Sequence, residues 1–199
     1  MPETNPYVGG TPLGGGYNPN YDPSLRFKPV APGTHVCKVT MSDPDTESRW
    51  TKKSDPEKGD YYWAKPKAEI VEGDAAGRTV FGFVSTQLND QGGSGAHEII
   101  IAAGLSHRLA ECQTHEDLCA LVDEALAGDG AEMNVYIDWN APFRRLDGTF
   151  DYSDRVRGWK TFPKDEDGNP MHIFDKKDDE GEVIGQYVAS AEAKYFRAA

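Results

Sequence analysis

Tyr61-Tyr62-Trp63-Ala64-Lys65-Pro66-Lys67-Ala68-Glu69-Ile70-Val71 is the stretch on which the reading of this chain turns. Rings and apolar side chains recur at every second position, the period of a strand whose side chains point alternately to opposite faces. That period puts Tyr61, Trp63, Lys65 and Lys67 on one face, and Tyr62, Ala64, Ala68 and Ile70 on the other. Flat rings alternating with ammonium groups suit single-stranded nucleic acid, because bases stack on rings while lysines meet phosphates. The competing explanation is a half-buried strand whose aromatics pack under a loop while the lysines are simply solvated, since aromatics are common in any strand. Pro66 brings no N–H to a ladder, so an edge strand, a bulge or a break is expected there.

Upstream, His35–Met41 reads as a first strand, with Cys37, Val39 and Met41 on one face. Ser42–Asp60 reads as a long polar loop of the kind that is usually functional or disordered. Downstream, Glu72-Gly73-Asp74-Ala75-Ala76-Gly77 is turn chemistry. A third strand, Arg78–Thr86, follows at hairpin distance, with Phe81 and Phe83 facing one way and Val80 and Val84 the other. A helical region then begins over Ala96–Ala103 and Ser106–Glu111. Its main helix runs from the N-cap Thr114 to Ala127, with acids in the first turn, an apolar stripe through Leu118, Leu121 and Val122, and Gly128 as its stop. Glu132–Trp139 reads as the fourth strand, with Met133, Val135, Ile137 and Trp139 inward. A loop bearing Phe143, Arg144, Arg145 and Tyr152 leads to a fifth strand over Val156–Phe162. Further strands are expected at Met171–Phe174 and Ile184–Phe196.

Composition bounds the function. The 199 residues suffice for one domain and a tail. Residues 1–33, rich in Gly, Pro and Asn, are expected to form a disordered arm, leaving 34–199 as the domain. The net charge of -12 argues against a broad basic surface for duplex DNA, yet permits a local cationic groove. Lys52, Lys53, Lys58, Lys65 and Lys67 do gather around the aromatic strand, while acids crowd 165–182. No apolar run approaches the roughly 20 residues of a membrane span, and no export signal is evident, so a cytoplasmic protein without membrane partners is expected. Three cysteines, Cys37, Cys112 and Cys119, fit free thiols in a reducing compartment.

Enzyme chemistry finds little to stand on. Cys112, His115 and Cys119 have C-x2-H-x3-C spacing, but no paired fourth ligand accompanies them, and core packing explains both cysteines better than zinc. There is no nucleophile elbow, Walker loop or dinucleotide-binding glycine pattern. Asp165-Glu166-Asp167-Gly168-Asn169 lacks the alternating acids of a calcium loop. Glu69, Asp138 and Asp154 are carboxylates at no spacing that singles out a two-metal nuclease site. A binding module with no cofactor is the expectation.

Three strands, a helical insertion and two strands is the order of the OB-fold, a small Greek-key barrel that often binds oligonucleotides. The chain also resembles a family of phage-encoded single-stranded-DNA-binding proteins of replication and recombination. The resemblance lies in Ala68-Glu69-Ile70-Val71-Glu72-Gly73, in Ala76-Gly77-Arg78-Thr79-Val80-Phe81 and in the helix opening at Thr114 and Leu118. It continues in the strand 131–137 and in Gly158…Phe162-Pro163-Lys164…Asp167-Gly168 before a terminal strand. The glycine-rich arm departs from the family's pattern. The ending Tyr195-Phe196-Arg197-Ala198-Ala199 also replaces the acidic tail with which many single-strand-binding proteins recruit partners, leaving 165–182 as the acidic stretch for that role.

The resulting expectation is a mainly β protein, an OB-like five-stranded barrel with helices between strands three and four and extra C-terminal strands. Single-stranded DNA would cross strands two and three, with Tyr61, Trp63 and Trp50 stacking on bases and Lys52, Lys53, Lys65, Lys67 and Arg78 meeting phosphates. Tyr136 and Trp159 suit either the interface or the core. Replication or recombination proteins are the implied partners, and a homo-oligomer is compatible. The rival expectation is a phage virion or interaction protein whose barrel packs against copies of itself.

Overall fold

The structure, a computed structural model, describes residues 28–42 and 49–199. Most of the glycine-rich arm therefore lies outside the described residues. The strands are β1 (Gly33–Met41), β2 (Thr51–Asp55), β3 (Gly59–Ala64), β4 (Pro66–Ile70), β5 (Thr79–Gly82), β6 (Val84–Ser85), β7 (Ala131–Arg145), β8 (Phe150–Arg157), β9 (Ile173–Lys177), β10 (Val183–Val188) and β11 (Ser190–Arg197). Between β6 and β7 lie α1 (Gly95–Ala102), a 3-10 helix (Ser106–Glu111) and α2 (His115–Ala125).

Five of these strands close a barrel in the order β1-β4-β5-β11-β7, with β7 pairing back onto β1. Every ring contact is antiparallel except β5 with β11, which run parallel through Phe81 opposite Glu192 and Gly82 opposite Ala193. With β4 as the second ring strand, β5 as the third, β7 as the fourth and β11 as the fifth, and with the helices between the third and fourth, this is an OB-like barrel. Alternation puts Val39, Ile70, Val80, Met133, Val135 and Ile137 inside, all nearly inaccessible to solvent. Ile99 and Ile100 of α1, with Leu118, Leu121 and Val122 of α2, join that core. The Thr114 hydroxyl accepts from the Asp117 N–H while the Asp117 carboxylate accepts from the Thr114 N–H, a capping box that fixes where α2 begins.

The expected fifth strand is corrected. Only the start of Val156–Phe162 is strand, in β8 outside the ring, and Trp159–Thr161 is a 3-10 turn. The fifth ring strand is β11, because Ile184–Phe196 is two strands divided at Ala189 and only the second returns to β7 and β5. β8, β9 and β10 instead extend one end of the long β7, over a smaller core of Trp139, Ala141, Phe162 and Ala189. Trp159 packs there, half-buried. The loop expected over Ser42–Asp60 also holds a strand, β2, which forms a hairpin with β3 and a second sheet with β6. At the N-terminal boundary, Val30 is already buried and its carbonyl accepts from the Trp139 indole N–H at 2.6 Å, so packing begins ahead of Gly33.

Barrel closure leaves no room at Gly82: a Cβ there would lie 2.7 Å from the Ala193 carbonyl oxygen. Gly82→Ala should therefore cost about 1–3 kcal/mol, the usual penalty for overpacking. Urea unfolding that matches the parent protein would show that the β5–β11 contact is looser than described.

Candidate nucleic-acid interface

Pro66 breaks the decisive stretch into β3 and β4, which belong to different sheets, yet the pleat keeps its phase across it. Ala64, Pro66, Ala68 and Ile70 are all buried, while Lys65 and Glu69 are exposed. Directly opposed residues of an antiparallel pair share a face. Lys53 lies opposite Tyr61, Ser85 opposite Trp63 and Phe81 opposite Lys67, so one continuous outer face collects the rings and lysines of both sheets.

On that face the Trp63 and Phe83 rings meet at 5.4 Å between centroids, tilted by 49°. Lys53 Nζ lies 5.7 Å from the Trp63 centroid, and Lys65 Nζ lies 5.3 Å from Phe81 and 5.8 Å from Phe83, distances at which a cation is attracted to a ring. The two phenylalanines are the open rings, at 45% exposure for Phe81 and 54% for Phe83. Trp63 and Tyr61 are half-buried.

The face continues into a cleft of about 520 Å³. Lys65, Phe81 and Phe83 form one side, Tyr152 and Arg155 of β8 the other, and Asn140, Ser190 and Glu192 lie between. Tyr152 is 66% exposed and stacks on Phe150 at 6.1 Å and 26°. β8 is held close by a bond network: the Lys176 ammonium and the Tyr187 hydroxyl both donate to Asp154, and Lys176 also lies over the Phe143 ring. Hydrogen bonding from Lys176 holds the Asp154 carboxyl below its usual range. Near the start of β8, Asp151 is lowered to about 2, first by the Ser153 hydroxyl and then by the N–H groups of Asp154 and Ser153.

The structure thus brings Lys53, Tyr61, Trp63, Lys65 and Lys67 to one face and places the remaining expected residues elsewhere. Trp50 is half-buried against the main core, and its indole N–H donates to Asp123 at 3.1 Å. Lys52 lies on the opposite face of the hairpin, beside Tyr62, where hydrogen bonding to Asp60 at 2.6 Å raises its pKa. The Tyr62 hydroxyl donates to Glu116 of α2, so that face looks toward the helix. The Arg78 guanidinium donates to the Lys28 carbonyl, just before β5 and away from the cleft. Tyr136 pairs with Tyr195 at 6.0 Å in a separate cleft. Phe81, Phe83, Tyr152, Arg155, Asn140 and Glu192 were not assigned to the site from sequence. Phe150-x-Tyr152 and Arg155-x-Arg157 each carry a two-residue period that signals a strand, with the phase slipping between them where the β7–β8 register shifts.

Comparison of the chain with protein-family models, with curated proteins and with solved structures found no match. Among the described residues no helix is long and apolar enough to cross a membrane, and no group of three His, Cys, Asp or Glu side chains is placed to hold a metal. In the acidic stretch, Asp165 and Asp178 accept backbone N–H groups of their own turns.

The cysteines are packing residues. Burial pushes the Cys37 thiol up to about 11, and burial with the Asp123 and Glu116 charges pushes Cys119 up to about 12. A raised folded-state pKa stabilises fully below the ordinary thiol value near ~9 and loses that contribution as pH climbs toward the folded values. At pH 8, iodoacetamide should label the half-buried Cys112 in the folded protein and reach Cys37 and Cys119 only on unfolding. Native-state labelling of Cys119 at the rate of Cys112 would contradict this packing.

Proposed function

We propose that the chain binds single-stranded DNA through the cleft between the β4–β5 face and β8, as a replication or recombination factor of a phage. The observation that carries the reading is the pair of open rings, Phe81 and Phe83, bordered by Lys65 on one side and Arg155 on the other. Aromatic platforms within a cationic groove are what an unpaired strand needs: each base has a face to stack, and each phosphate has a charge to neutralise. The position agrees, because the strand-two and strand-three face and the loop between strands four and five are where OB barrels take oligonucleotides. Here that loop is the β8–β10 insertion. The phage and replication assignment rests on the sequence resemblance described above.

The net charge of -12 shapes the expected behaviour. With an acidic body repelling the polymer at long range, attraction is confined to the groove and should be strongly weakened by salt. The bases then supply the part of the affinity that salt does not remove.

Anisotropy titrations with a labelled oligo-dT across a salt series test this. Phe83→Ala and Tyr152→Ala should each lose ~1–3 kcal/mol of binding per stacked base with little change in salt slope, since stacking releases no counterions. Their melting temperatures should stay near the parent value, because both rings are largely exposed. Lys65→Ala and Arg155→Ala should instead lower the slope by roughly 0.7 for each phosphate that is no longer neutralised. Absence of binding even at low salt would overturn the proposal in favour of a virion or interaction protein.

A further inference from the structure

A bulge in β11 gives the outer face of the barrel a second pair of rings. Pairing with β7 shifts by one residue between Ala193 and Tyr195, leaving Lys194 as the extra residue. Strict alternation from the buried Ala193 would otherwise turn Tyr195 and Arg197 into the core. With the bulge, Phe196 is buried instead and Tyr195 is 52% exposed. Tyr195 lies directly opposite Tyr136 of β7, as Glu192 lies opposite Asp138 and Ser190 opposite Asn140. Opposed residues share a face, so the surface that floors the first cleft at Ser190, Glu192 and Asn140 continues along the same two strands. It leads into the cleft of Tyr136, Tyr195 and Arg197, of about 550 Å³.

We propose that this second cleft is a further stacking subsite for the same single strand, which runs along β7 and β11 from Phe81 and Phe83 to the tyrosines. The proposal rests on the single-strand reading above and adds the path and length of the bound strand. The chemistry of the first cleft is repeated: two rings meet at 6.0 Å and 36°, beside an arginine. Arg197 is exposed and makes no ion pair among the described residues, whereas Lys52, Arg108 and Arg145 are each spent on a carboxylate. The acids at the crossing are themselves engaged. Glu192 pairs with Lys194 at 2.6 Å, and Asp138 accepts the N–H groups of Trp139 and Trp159 at 2.8 and 3.2 Å. From Asn140 to Tyr136 is ~13 Å of strand, so only an oligonucleotide of several residues reaches both clefts. OB barrels cover roughly 4–16 nucleotides, and two subsites place this one away from the lower end. A second copy of the chain fits the cleft less well, because copies carrying a net charge of -12 repel one another.

The test compares labelled dT6 with dT15 on the parent protein, Tyr195→Ala, Tyr195→Phe and Arg197→Ala, with sedimentation and melting of each. Tyr195→Ala should weaken dT15 binding by roughly five- to hundred-fold, the range of one stacked base, and leave dT6 unchanged. Tyr195→Phe keeps the ring and should bind both lengths as the parent does. Arg197→Ala should lower the salt slope by roughly 0.7 for dT15 alone. The exposed ring of Tyr195 predicts a parent-like melting temperature for the alanine variant, and if that variant fails to fold the Arg197→Ala slope decides the question. Unchanged dT15 binding by Tyr195→Ala would overturn the subsite and leave the first cleft standing. So would an equal loss on both lengths, or a parent dimer that Tyr195→Ala dissociates without changing DNA affinity. No binding of either length at low salt would instead overturn the reading on which the subsite rests.

Discussion

The pleat that runs unbroken in phase through Pro66 is the constraint on which both the barrel and its outer face depend. Ala64, Pro66, Ala68 and Ile70 all turn inward, so Trp63, Lys65 and Lys67 must turn outward, whatever sheet each belongs to. A proline at that point can join the two sheets because a change of partner leaves a donor position vacant, and proline has no donor to leave unpaired. The neighbouring Lys65 carbonyl is not wasted: it accepts from the Ser42 N–H at 3.2 Å. A slip of one residue would exchange the faces, burying two lysines and exposing Ile70.

Closure of the ring then decides what the outer face can do. A barrel has no free edge, so polar backbone in the ring is paired and the outer side chains can serve recognition. The site uses this surface across several strands, with rings from β5 and the end of β3, polar floor residues from β7 and β11, and a second wall from β8. The insertion between β7 and β11 is therefore more than an appendage. Its own small core around Trp139 and Phe162 and the Lys176–Asp154–Tyr187 network fix β8 opposite the phenylalanines.

Much of this is legible in the chain because burial imposes periods on sequence. β1, β7 and α2 each bury one face, and the alternation of Met133, Val135 and Ile137 or the stripe of Leu118, Leu121 and Val122 announces them. What is hidden lacks that signal. β2 reads Thr-Lys-Lys-Ser-Asp with almost no buried position, so it exists only by pairing with β3. β10 and β11 read as one strand because Ala189 is a small, buried corner that interrupts no pattern. The site is half visible for a related reason. The lysine–ring strand shows itself through its own alternation, whereas Trp50, Lys52 and Arg78 are drawn off by Asp123, Asp60 and the Lys28 carbonyl, partners remote in sequence or on the other face. Asn140 and Arg155 join the cleft only through the topology of β7, β8 and β11.

Photocross-linking of an oligonucleotide carrying 5-iodouracil, with the attached peptides identified by mass spectrometry, tests the central claim most directly. The account predicts adducts on Phe81, Phe83 and Tyr152, the rings on the two sides of the cleft. Adducts confined to Tyr136 and Tyr195 on the separate cleft, or to Trp50 beside α2, would contradict it.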